Sequence, residues 1–208
     1  MSIAALHLDD EAGFDQLVAI YLNAIDPSEQ KTTAALRLML GRDTQRFLVA
    51  RAGGAVVGFA ILWLPRNEDI WSLEYMAVAP AYRGSGLGAR IFRASTAAAD
   101  RPFGIIEVEA PSTQMRRRRI SFYGHLGCRR IGTFSYLLPL DARRAPPPMW
   151  LLLHGPACIA DIARQQVRGW LSHMYAQIYA QAEDDPRIAQ MLAGEGPRVP
   201  LNALPATP

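Results

Sequence analysis

The stretch that decides the fold is WSLEYMAVAPAYRGSGLGARIFRAST, residues 71 to 96. Residues 71–78 are rich in aromatic and apolar side chains, which is typical of a largely buried β-strand. Pro80 ends the strand, because proline cannot donate a hydrogen bond to a β-ladder. Residues 83–88, RGSGLG, predict a tight turn, and the apolar spacing that follows predicts a helix from about Gly86 to Ala99.

The glycine-rich turn predicts a binding site for an anion. Glycine has no Cβ, so a phosphate group can approach the backbone closely. The first N–H groups of the following helix lack partners within the helix, and the helix dipole adds positive potential there. A tight turn without any ligand would use the same glycines, so the turn alone leaves both interpretations open.

The order of strand, Val-Ala-Pro, glycine turn and amphipathic helix resembles the acyl-CoA-binding motif of the GNAT family of N-acetyltransferases. In that family the turn has Arg or Gln, two residues, Gly, one residue, and Gly or Ala. Arg83, Gly86 and Gly88 match all three positions. The spacing fits neither the Gly-x-Gly-x-x-Gly dinucleotide fingerprint nor a Walker loop. The resemblance extends over roughly residues 3–154 and implies acetyl-CoA as the cosubstrate.

Composition limits the other classes of function. The chain has 208 residues, of which 50% are hydrophobic and 20% charged, as expected for a globular domain with an extension. A net charge of +3 favours an anionic ligand but does not by itself indicate nucleic acid. The two cysteines form no C-x-x-C motif, so we expect no metal site. With no leader and no apolar run of membrane length, we expect a soluble, cytoplasmic protein.

The remaining patterns predict the order β-α-α-β-β-β-α-β-α-β-β, which is also the order of the GNAT family. We expect an α+β (mixed α/β) fold with a mostly antiparallel sheet, a central parallel pair formed by its fourth and fifth strands, and helices on both faces. Residues 1–154 would form the acyltransferase domain. Residues 155–208 would add a long amphipathic helix and a proline-rich tail. That helix packs either on the protein's own sheet or in a homodimer, and both alternatives stay open.

Local patterns predict further elements. Ser28 to Lys31 predict the start of a second helix with an imperfect capping box. Gly53-Gly54 predicts a tight hairpin turn with positive φ. Residues 129–138 predict a strand antiparallel to residues 149–154. The apolar spacing from Ile159 to Ile178 marks the long helix of the extension, and the tail from Ala182 predicts an extended arm.

The resemblance implies where the cofactor binds. The pantetheine arm would lie along the backbone of Met76, Ala77 and Val78 like an added strand, and the Met76 N–H would stabilise the oxyanion. The diphosphate would lie on the N–H groups of the turn. These belong to Arg83, Gly84, Ser85, Gly86, Leu87 and Gly88.

Tyr123 is the first candidate for a catalytic side chain. It lies in FYGHLGC, residues 122–128, which resembles the family's Leu-Tyr-x-x-x-Gly-Phe helix ending. The resemblance implies that its hydroxyl protonates the leaving thiolate; the alternative is an ordinary half-buried tyrosine. Arg119 shares its helix face and faces either the cofactor, an anionic acceptor group or water. Arg116 stands where the family often has asparagine, which leaves its contact undecided.

Three glutamates are candidates for the general base. Glu74 precedes the backbone that would bind the cofactor, at a position where the family often keeps a glutamate. Glu107 and Glu109 alternate with apolar residues and share one face of the next strand. Carboxylates in an apolar strand are costly to bury without partners, so they are either exposed or functional. The order of preference is Glu74, Glu109 and Glu107.

The sequence thus predicts an acyl-CoA-dependent N-acyltransferase, with acetyl transfer to a primary amine of a small molecule or peptide. No Ser–His pair is visible, which favours direct attack in a ternary complex over a covalent acyl-enzyme. One alternative is a non-catalytic acyl-CoA-binding module. Another is acetylation of a tRNA-linked amino acid, which the modest net charge disfavours. The first two helices, the loop 65–69 and the connection between the last two strands would select the acceptor.

Overall fold

The computed structural model describes residues 1–139 and 147–205. The chain divides into two compact units, Met1–Arg101 and Pro102–Pro208. In the described ranges, none of the helices has both the length and the hydropathy needed to cross a membrane. Most of the proline-rich connection predicted at residues 139–148 lies outside the described residues.

The first unit contains four antiparallel strands and three α-helices, in the predicted order. The strands are paired in sequence order. They are β1 Ser2–Ala5, β2 Gln45–Ala52, β3 Ala55–Trp63 and β4 Ile70–Val78. The helices are α1 Glu11–Ala24, α2 Thr33–Leu40 and α3 Leu87–Ala99. Gly53 and Gly54 have φ values of 56° and 85°, which confirms the predicted hairpin turn between β2 and β3.

The first two helices differ in how well their starts could be predicted. α1 begins after Asp10, whose carboxylate accepts a hydrogen bond from the Gly13 N–H at 2.9 Å. The prediction that the second helix begins at Ser28 is wrong. Pro27–Glu29 forms a single 3₁₀ turn, and α2 begins after Thr32, whose hydroxyl accepts from the Ala35 N–H at 3.1 Å.

A close approach of α3 to the sheet positions the glycine turn. Gly58 of β3 makes this approach possible, because a Cβ there would lie 2.8 Å from Ile91 Cδ1 and 3.0 Å from the Ala77 carbonyl oxygen. Ile91 and Phe92 of α3 are buried, and the Phe92 ring lies 6.0 Å from the Trp71 ring of β4. Burial of side chains of this size stabilises a fold by about 1.5–3 kcal/mol each. The start of α3 is therefore fixed relative to β4.

Among its described residues, 102–139 and 147–205, the second unit contains five strands and three α-helices. Its strands are β5 Phe103–Glu109, β6 Arg129–Ile131, β7 Met149–His154, β8 Asp161–Ala163 and β9 Arg198–Asn202. Its helices are α4 Gln114–His125, α5 Arg164–Tyr179 and α6 Pro186–Leu192. Neighbouring strands are antiparallel, in the order β5-β7-β6-β9-β8. The last strand of the chain thus extends the sheet at β6.

Two predictions in the second unit need correction. The strand predicted at residues 129–138 ends at Ile131, because Gly132 takes a positive φ of 60°, and only Tyr136 returns to form a bridge with β7. The long helix begins at Arg164, later than predicted, because Ile162 belongs to β8.

The extension also contains more regular secondary structure than predicted. The tail, expected as an extended arm, forms α6 and then β9. α5 buries an apolar face within the second unit, made of Val167, Trp170, Leu171, Met174 and Tyr175. The domain limits 1–154 and 155–208 stay a prediction.

Candidate active site

β4 carries a bulge at Glu74. Ile61 of β3 pairs with Tyr75, and the next residue, Leu62, pairs with Leu73, so Glu74 has no partner on β3. One extra residue of this kind bends a strand and redirects its side chains, and bulges are frequent beside active sites. Met76, Ala77 and Val78 follow the bulge and pair along one edge with residues 58–60 of β3.

The Glu74 carboxyl group lies in an unusual environment. Its Oε1 atom is buried, and no hydrogen-bond partner for it occurs among the residues that the structure describes. Burial raises the pKa of Glu74, while a hydrogen bond with Gln45 and the positive charges of Lys31 and Arg42 oppose that increase. A carboxylate with a raised pKa is a stronger proton acceptor at neutral pH than an exposed one.

The glycine turn presents backbone N–H groups at the start of α3. Gly84 and Gly86 have φ values of 75° and 79°, a region that side chains with a Cβ rarely adopt. Gly86 is the N-cap residue of α3, and no side chain caps this helix. Over the described ranges, no acceptor is paired with the N–H of Gly86, Leu87 or Gly88. This arrangement is suited to binding an anion.

Two side chains of the turn stabilise its shape. The Arg83 guanidinium donates from Nε to the Val78 carbonyl at 3.1 Å. The backbone N–H of Arg83 donates to the Pro80 carbonyl at 3.2 Å. The Ser85 hydroxyl donates to the Tyr82 carbonyl at 2.6 Å. Of the predicted diphosphate donors, the Arg83 N–H is therefore already engaged within the turn.

Tyr123 lies in the last two turns of α4 and is 7% exposed. Burial raises the pKa of its hydroxyl, the neighbouring Cys128 adds to the increase, and the positive charge of Arg119 opposes it. A tyrosine hydroxyl is protonated at neutral pH even at its ordinary pKa of about 10, and the increase moves its ionisation to still higher pH. Gly127 ends the helix with a φ of 84°, as predicted, and the Cys128 N–H donates to the Tyr123 carbonyl at 3.0 Å.

Glu109, at the end of β5, is held by two arginines of α4. Arg116 donates to one of its carboxylate oxygens, and Arg119 reaches the other at 3.5 Å. Arg116 also donates to the Ser112 hydroxyl at 2.6 Å. Both carboxylate oxygens of Glu109 are therefore engaged by side chains of α4.

Glu107 has a different partner, which sequence reasoning missed. Its carboxylate accepts a hydrogen bond from the Tyr179 hydroxyl of α5. The nearby Glu107 charge also contributes, after burial, to raising the pKa of Tyr136. No sequence pattern links a strand residue to a helix so far along the chain, so nothing in the sequence indicated this contact.

A second feature absent from the predictions is the neighbouring pair Ser121 and His125. His125 Nδ1 lies 2.7 Å from the Ser121 carbonyl oxygen and 3.4 Å from the Ser121 hydroxyl oxygen. A carbonyl accepts only, so the proton sits on Nδ1, and this nitrogen cannot take the hydroxyl proton. The pair is therefore not an activated nucleophile. Among the described residues, no group of three or more His, Cys, Asp or Glu could hold a metal ion.

The candidates fall in the two units as follows. Glu74, the backbone of residues 76–78 and the turn of residues 83–88 belong to the first unit, where β4 and α3 bring them together. Glu109, Arg119 and Tyr123 belong to the second unit, where α4 and the end of β5 bring them together.

A family model described as the acetyltransferase (GNAT) family matches residues 14–128, which is more than half of the chain. The chain therefore belongs to the GNAT acetyltransferase family, whose members use acetyl-CoA, and the resemblance drawn from the turn is confirmed. The match includes the bulge of β4, the glycine turn and Tyr123. The predicted class, a mixed α/β fold with a mostly antiparallel sheet, is confirmed with it.

Solved structures of other proteins have the same fold. An acetyltransferase from the GNAT family of Bacteroides thetaiotaomicron is 22% identical, covers 86% of this chain and 98% of its own, and has a TM-score of 0.73. A ribosomal-protein-alanine N-acetyltransferase from Brucella melitensis is 20% identical over 75% of this chain and 100% of its own, with a TM-score of 0.58. An aminoglycoside 6'-N-acetyltransferase complexed with coenzyme A is 16% identical over 74% and 96%, with a TM-score of 0.57. None of the curated proteins compared with the chain matches it.

Proposed function

We propose that the protein transfers the acetyl group of acetyl-CoA to a primary amine, on a small molecule or a peptide, by direct attack in a ternary complex. The observation that carries the proposal is the set of unpaired N–H groups of Gly86, Leu87 and Gly88, held by a left-handed cap at the start of α3. A diphosphate has the charge and the acceptor oxygens that this geometry favours.

The cofactor would be bound mainly by backbone. Coenzyme A would place its diphosphate on the amides of residues 84–88 and its pantetheine arm along Met76, Ala77 and Val78. The Arg83 and Ser85 side chains, which hold the turn, would act indirectly. Backbone donors explain why an otherwise ordinary apolar strand can hold a polar ligand.

In the reaction, Glu74 would take the one proton that the neutral acceptor amine loses as the C–N bond forms, directly or through water, and exchange with solvent would later return a proton to Tyr123. The amine nitrogen attacks the thioester carbonyl, the C–N bond forms, and the Met76 N–H stabilises the oxyanion. When the tetrahedral intermediate collapses, the C–S bond breaks and Tyr123 gives a proton to the departing sulfur. The products are the N-acetylated acceptor and the free thiol of coenzyme A.

The environments of the three candidate catalytic side chains support this division of roles. Burial raises the pKa of Glu74, which suits a base. The Tyr123 hydroxyl keeps its proton at neutral pH, which suits a donor, and Arg119 supplies a positive charge beside it. Glu109 remains the second candidate for the base, although both of its carboxylate oxygens are engaged by arginines.

The acceptor is proposed only as a primary amine. By their names, the similar structures include enzymes for an aminoglycoside and for the alanine of a ribosomal protein. They are at most 20% identical to this chain over the matched region, so their likeness concerns the fold alone. A small-molecule amine and a peptide amine therefore both remain candidates for the acceptor.

Binding of coenzyme A to Gly86→Ala and Gly53→Ala, measured by titration calorimetry, tests the cofactor site. Both glycines have positive φ and open space around the added Cβ, so the backbone strain is matched. We expect Gly86→Ala to weaken coenzyme A binding about tenfold or more. The substitution strains the backbone by about 1–2 kcal/mol at the residue whose N–H is one of the proposed donors. Gly53→Ala, in the β2–β3 turn, should leave the affinity unchanged. Equal affinities for both variants would refute the site.

Transfer itself is tested with a panel of primary amines and acetyl-CoA, by following the release of free thiol and the mass of the acetylated product. The panel contains straight-chain amines, amino sugars and short peptides with a free N-terminus. Coenzyme A binding without acetylation of any amine would favour the non-catalytic binding module instead.

A further inference from the structure

Two buried oxygen atoms of the first unit have no hydrogen-bond donor. They are Oε1 of Glu74, at the bulge of β4, and Oε1 of Gln45, the first residue of β2. Residues 1–139 and 147–205 supply a donor to neither atom. A buried acceptor without a donor destabilises a fold, so such atoms often mark a place where a reacting group or a ligand supplies the donor.

The two oxygens lie close together because a hydrogen bond joins their side chains. Burial raises the pKa of Glu74, and the hydrogen bond with Gln45 opposes that increase, so Gln45 donates to the carboxylate. The donor is the amide nitrogen Nε2, because the amide oxygen can only accept. Oε1 of Gln45 is bonded to the same carbon as this nitrogen, and the two oxygens of Glu74 also share one carbon. Both unpaired oxygens therefore belong to the two groups that the hydrogen bond joins.

The position of Gln45 in the sheet favours an apolar residue. Gln45 pairs with Trp63 of β3. Side chains alternate along a strand, so residues 45, 47 and 49 point to one face of the sheet. Phe47 and Val49 are buried on this face, in the core that the sheet forms with α1 and α2. An apolar side chain would complete the row, so packing alone does not account for the amide of Gln45.

The charges around the two oxygens suit a neutral ligand. Lys31 and Arg42 place two positive charges near the single negative charge of Glu74. The backbone of Lys31 is fixed there, because its N–H donates to the Tyr21 hydroxyl at 2.8 Å and the Tyr21 ring lies 5.0 Å from the Tyr75 ring. Nearby cations reduce the attraction of a carboxylate for a further cation. The site therefore offers two acceptors without an excess of negative charge.

We infer that Oε1 of Glu74 and Oε1 of Gln45 accept the two N–H groups of a neutral primary amine, the reacting group of the acceptor. The inference rests on the proposed function and deepens it, because it makes Gln45 a residue that orients the nucleophile. With both N–H groups held, the lone pair of the nitrogen points away from the two oxygens and is free to attack. A secondary amine has a single N–H and would leave one of the two oxygens unpaired.

The two contacts also account for both hydrogens of the amine during transfer. As the C–N bond forms, the proton of one N–H passes directly to Glu74, without a water molecule between them. The other hydrogen stays on the nitrogen, because a primary amine gives an amide with one N–H. That N–H donates to Gln45 before and after the transfer, so Gln45 holds the nitrogen in place throughout.

The test compares a primary amine with its N-methyl derivative, in the parent and in Gln45→Met. The amine is the best substrate of the primary-amine panel. Methionine is close to glutamine in size but lacks a strong acceptor, so steric rejection of the N-methyl group is retained. Loss of the hydrogen bond to Glu74 affects both amines equally and cancels in the ratio of their kcat/KM values. Gln177→Met is the matched control, because Gln177 is exposed on α5.

We expect the parent to prefer the primary amine, and Gln45→Met to lower the ratio of the two kcat/KM values about tenfold. This is within the range that one unpaired buried acceptor costs. Gln45→Glu retains an oxygen acceptor at the same place and should retain the preference, and Gln177→Met should equal the parent. An unchanged ratio in Gln45→Met, or an equal decrease in Gln177→Met, overturns the inference.

A binding measurement separates failure of this site from failure of the proposed function. The side-chain amide signals of Gln45, assigned by their loss in Gln45→Met, are followed by NMR while each primary amine of the panel is added to the protein with coenzyme A. Shifts of the Gln45 signals without shifts of the Gln177 signals support the site, even if no amine is acetylated. Acetylation of an amine that leaves the Gln45 signals unchanged would retain the enzyme and reject the site. The absence of both effects would reject both.

Discussion

Arg116, in the first turn of α4, donates to the carboxylate of Glu109, the last residue of β5. Arg119, one turn further along the helix, reaches the second oxygen of the same carboxylate. The pairing ties the start of α4 to the end of β5 and neutralises Glu109 with two cations. Because both oxygens of this carboxylate are engaged by α4, its contacts suit an orienting role, and Glu74 stays the preferred candidate for the base.

Glu74→Gln and Glu109→Gln should therefore have different effects on the rate of acetyl transfer. We expect Glu74→Gln to lower kcat about 100-fold or more at neutral pH, the usual contribution of a general base. The decrease in kcat/KM toward acid pH, which reports protonation of the base, should disappear with it. Glu109→Gln should retain that decrease. The measurement is a pH–rate profile of all three proteins with the same amine.

The affinity for coenzyme A provides the control for these variants. Neither substitution removes a backbone donor of the turn, so both should bind coenzyme A like the parent. If Glu109→Gln loses the decrease in kcat/KM toward acid pH while Glu74→Gln retains it, Glu109 is the base and Glu74 is not.

The sequence was sufficient to predict the glycine turn but not the environment of Glu74. The turn is specified by residues adjacent in the chain, because glycine permits positive φ and the helix supplies its own N–H groups. The bulge at Glu74 depends instead on the register between β3 and β4. Its neighbours Lys31 and Gln45 come from distant parts of the chain, and only the folded sheet brings them there.

The same limit explains the errors in the second unit. A run of apolar and aromatic residues predicted a strand through residue 138, but the positive φ of Gly132 ends β6, and Glu195 binds the backbone beyond it. Glu195 lies in a tail whose prolines and glycines favoured an extended arm. Contacts over such sequence separations leave no periodic pattern, so the course of residues 133–137 after β6 could not be predicted.

The stability of the protein should depend on pH through Glu74. Burial raises the pKa of Glu74 in the folded state above its value in the unfolded chain, so the folded state binds the proton more tightly. The stability associated with this group is then complete below the unfolded pKa and is lost as pH rises through the folded pKa. Glutamine cannot ionise, so Glu74→Gln removes this decrease in stability with rising pH.

We therefore expect the Tm of Glu74→Gln to exceed that of the parent increasingly as pH rises from 4 to 8. Each kcal/mol of relief corresponds to about 2–4 °C in Tm for a chain of this size. Glu183→Gln is the control, because Glu183 is exposed. The measurement is thermal unfolding followed by circular dichroism at several pH values. A difference that is constant or shrinks with pH would contradict the raised pKa.

Tyr123→Phe tests the proton donor without changing the shape of the buried ring. A tyrosine hydroxyl is protonated at neutral pH at its ordinary pKa of about 10, and burial raises the pKa of Tyr123 further, so the variant loses a donor and not a negative charge. We expect kcat to fall about 100-fold, within the range of general acid catalysis, while coenzyme A binding stays within about twofold. The parent should also show no loss of activity from Tyr123 ionisation up to about pH 10, the ordinary pKa of tyrosine, because the raised pKa delays that ionisation. A Tyr123→Phe variant that retains the parental kcat would show that the thiolate leaves without this proton, and Arg119, whose charge lies beside the ring, would become the candidate for stabilising it.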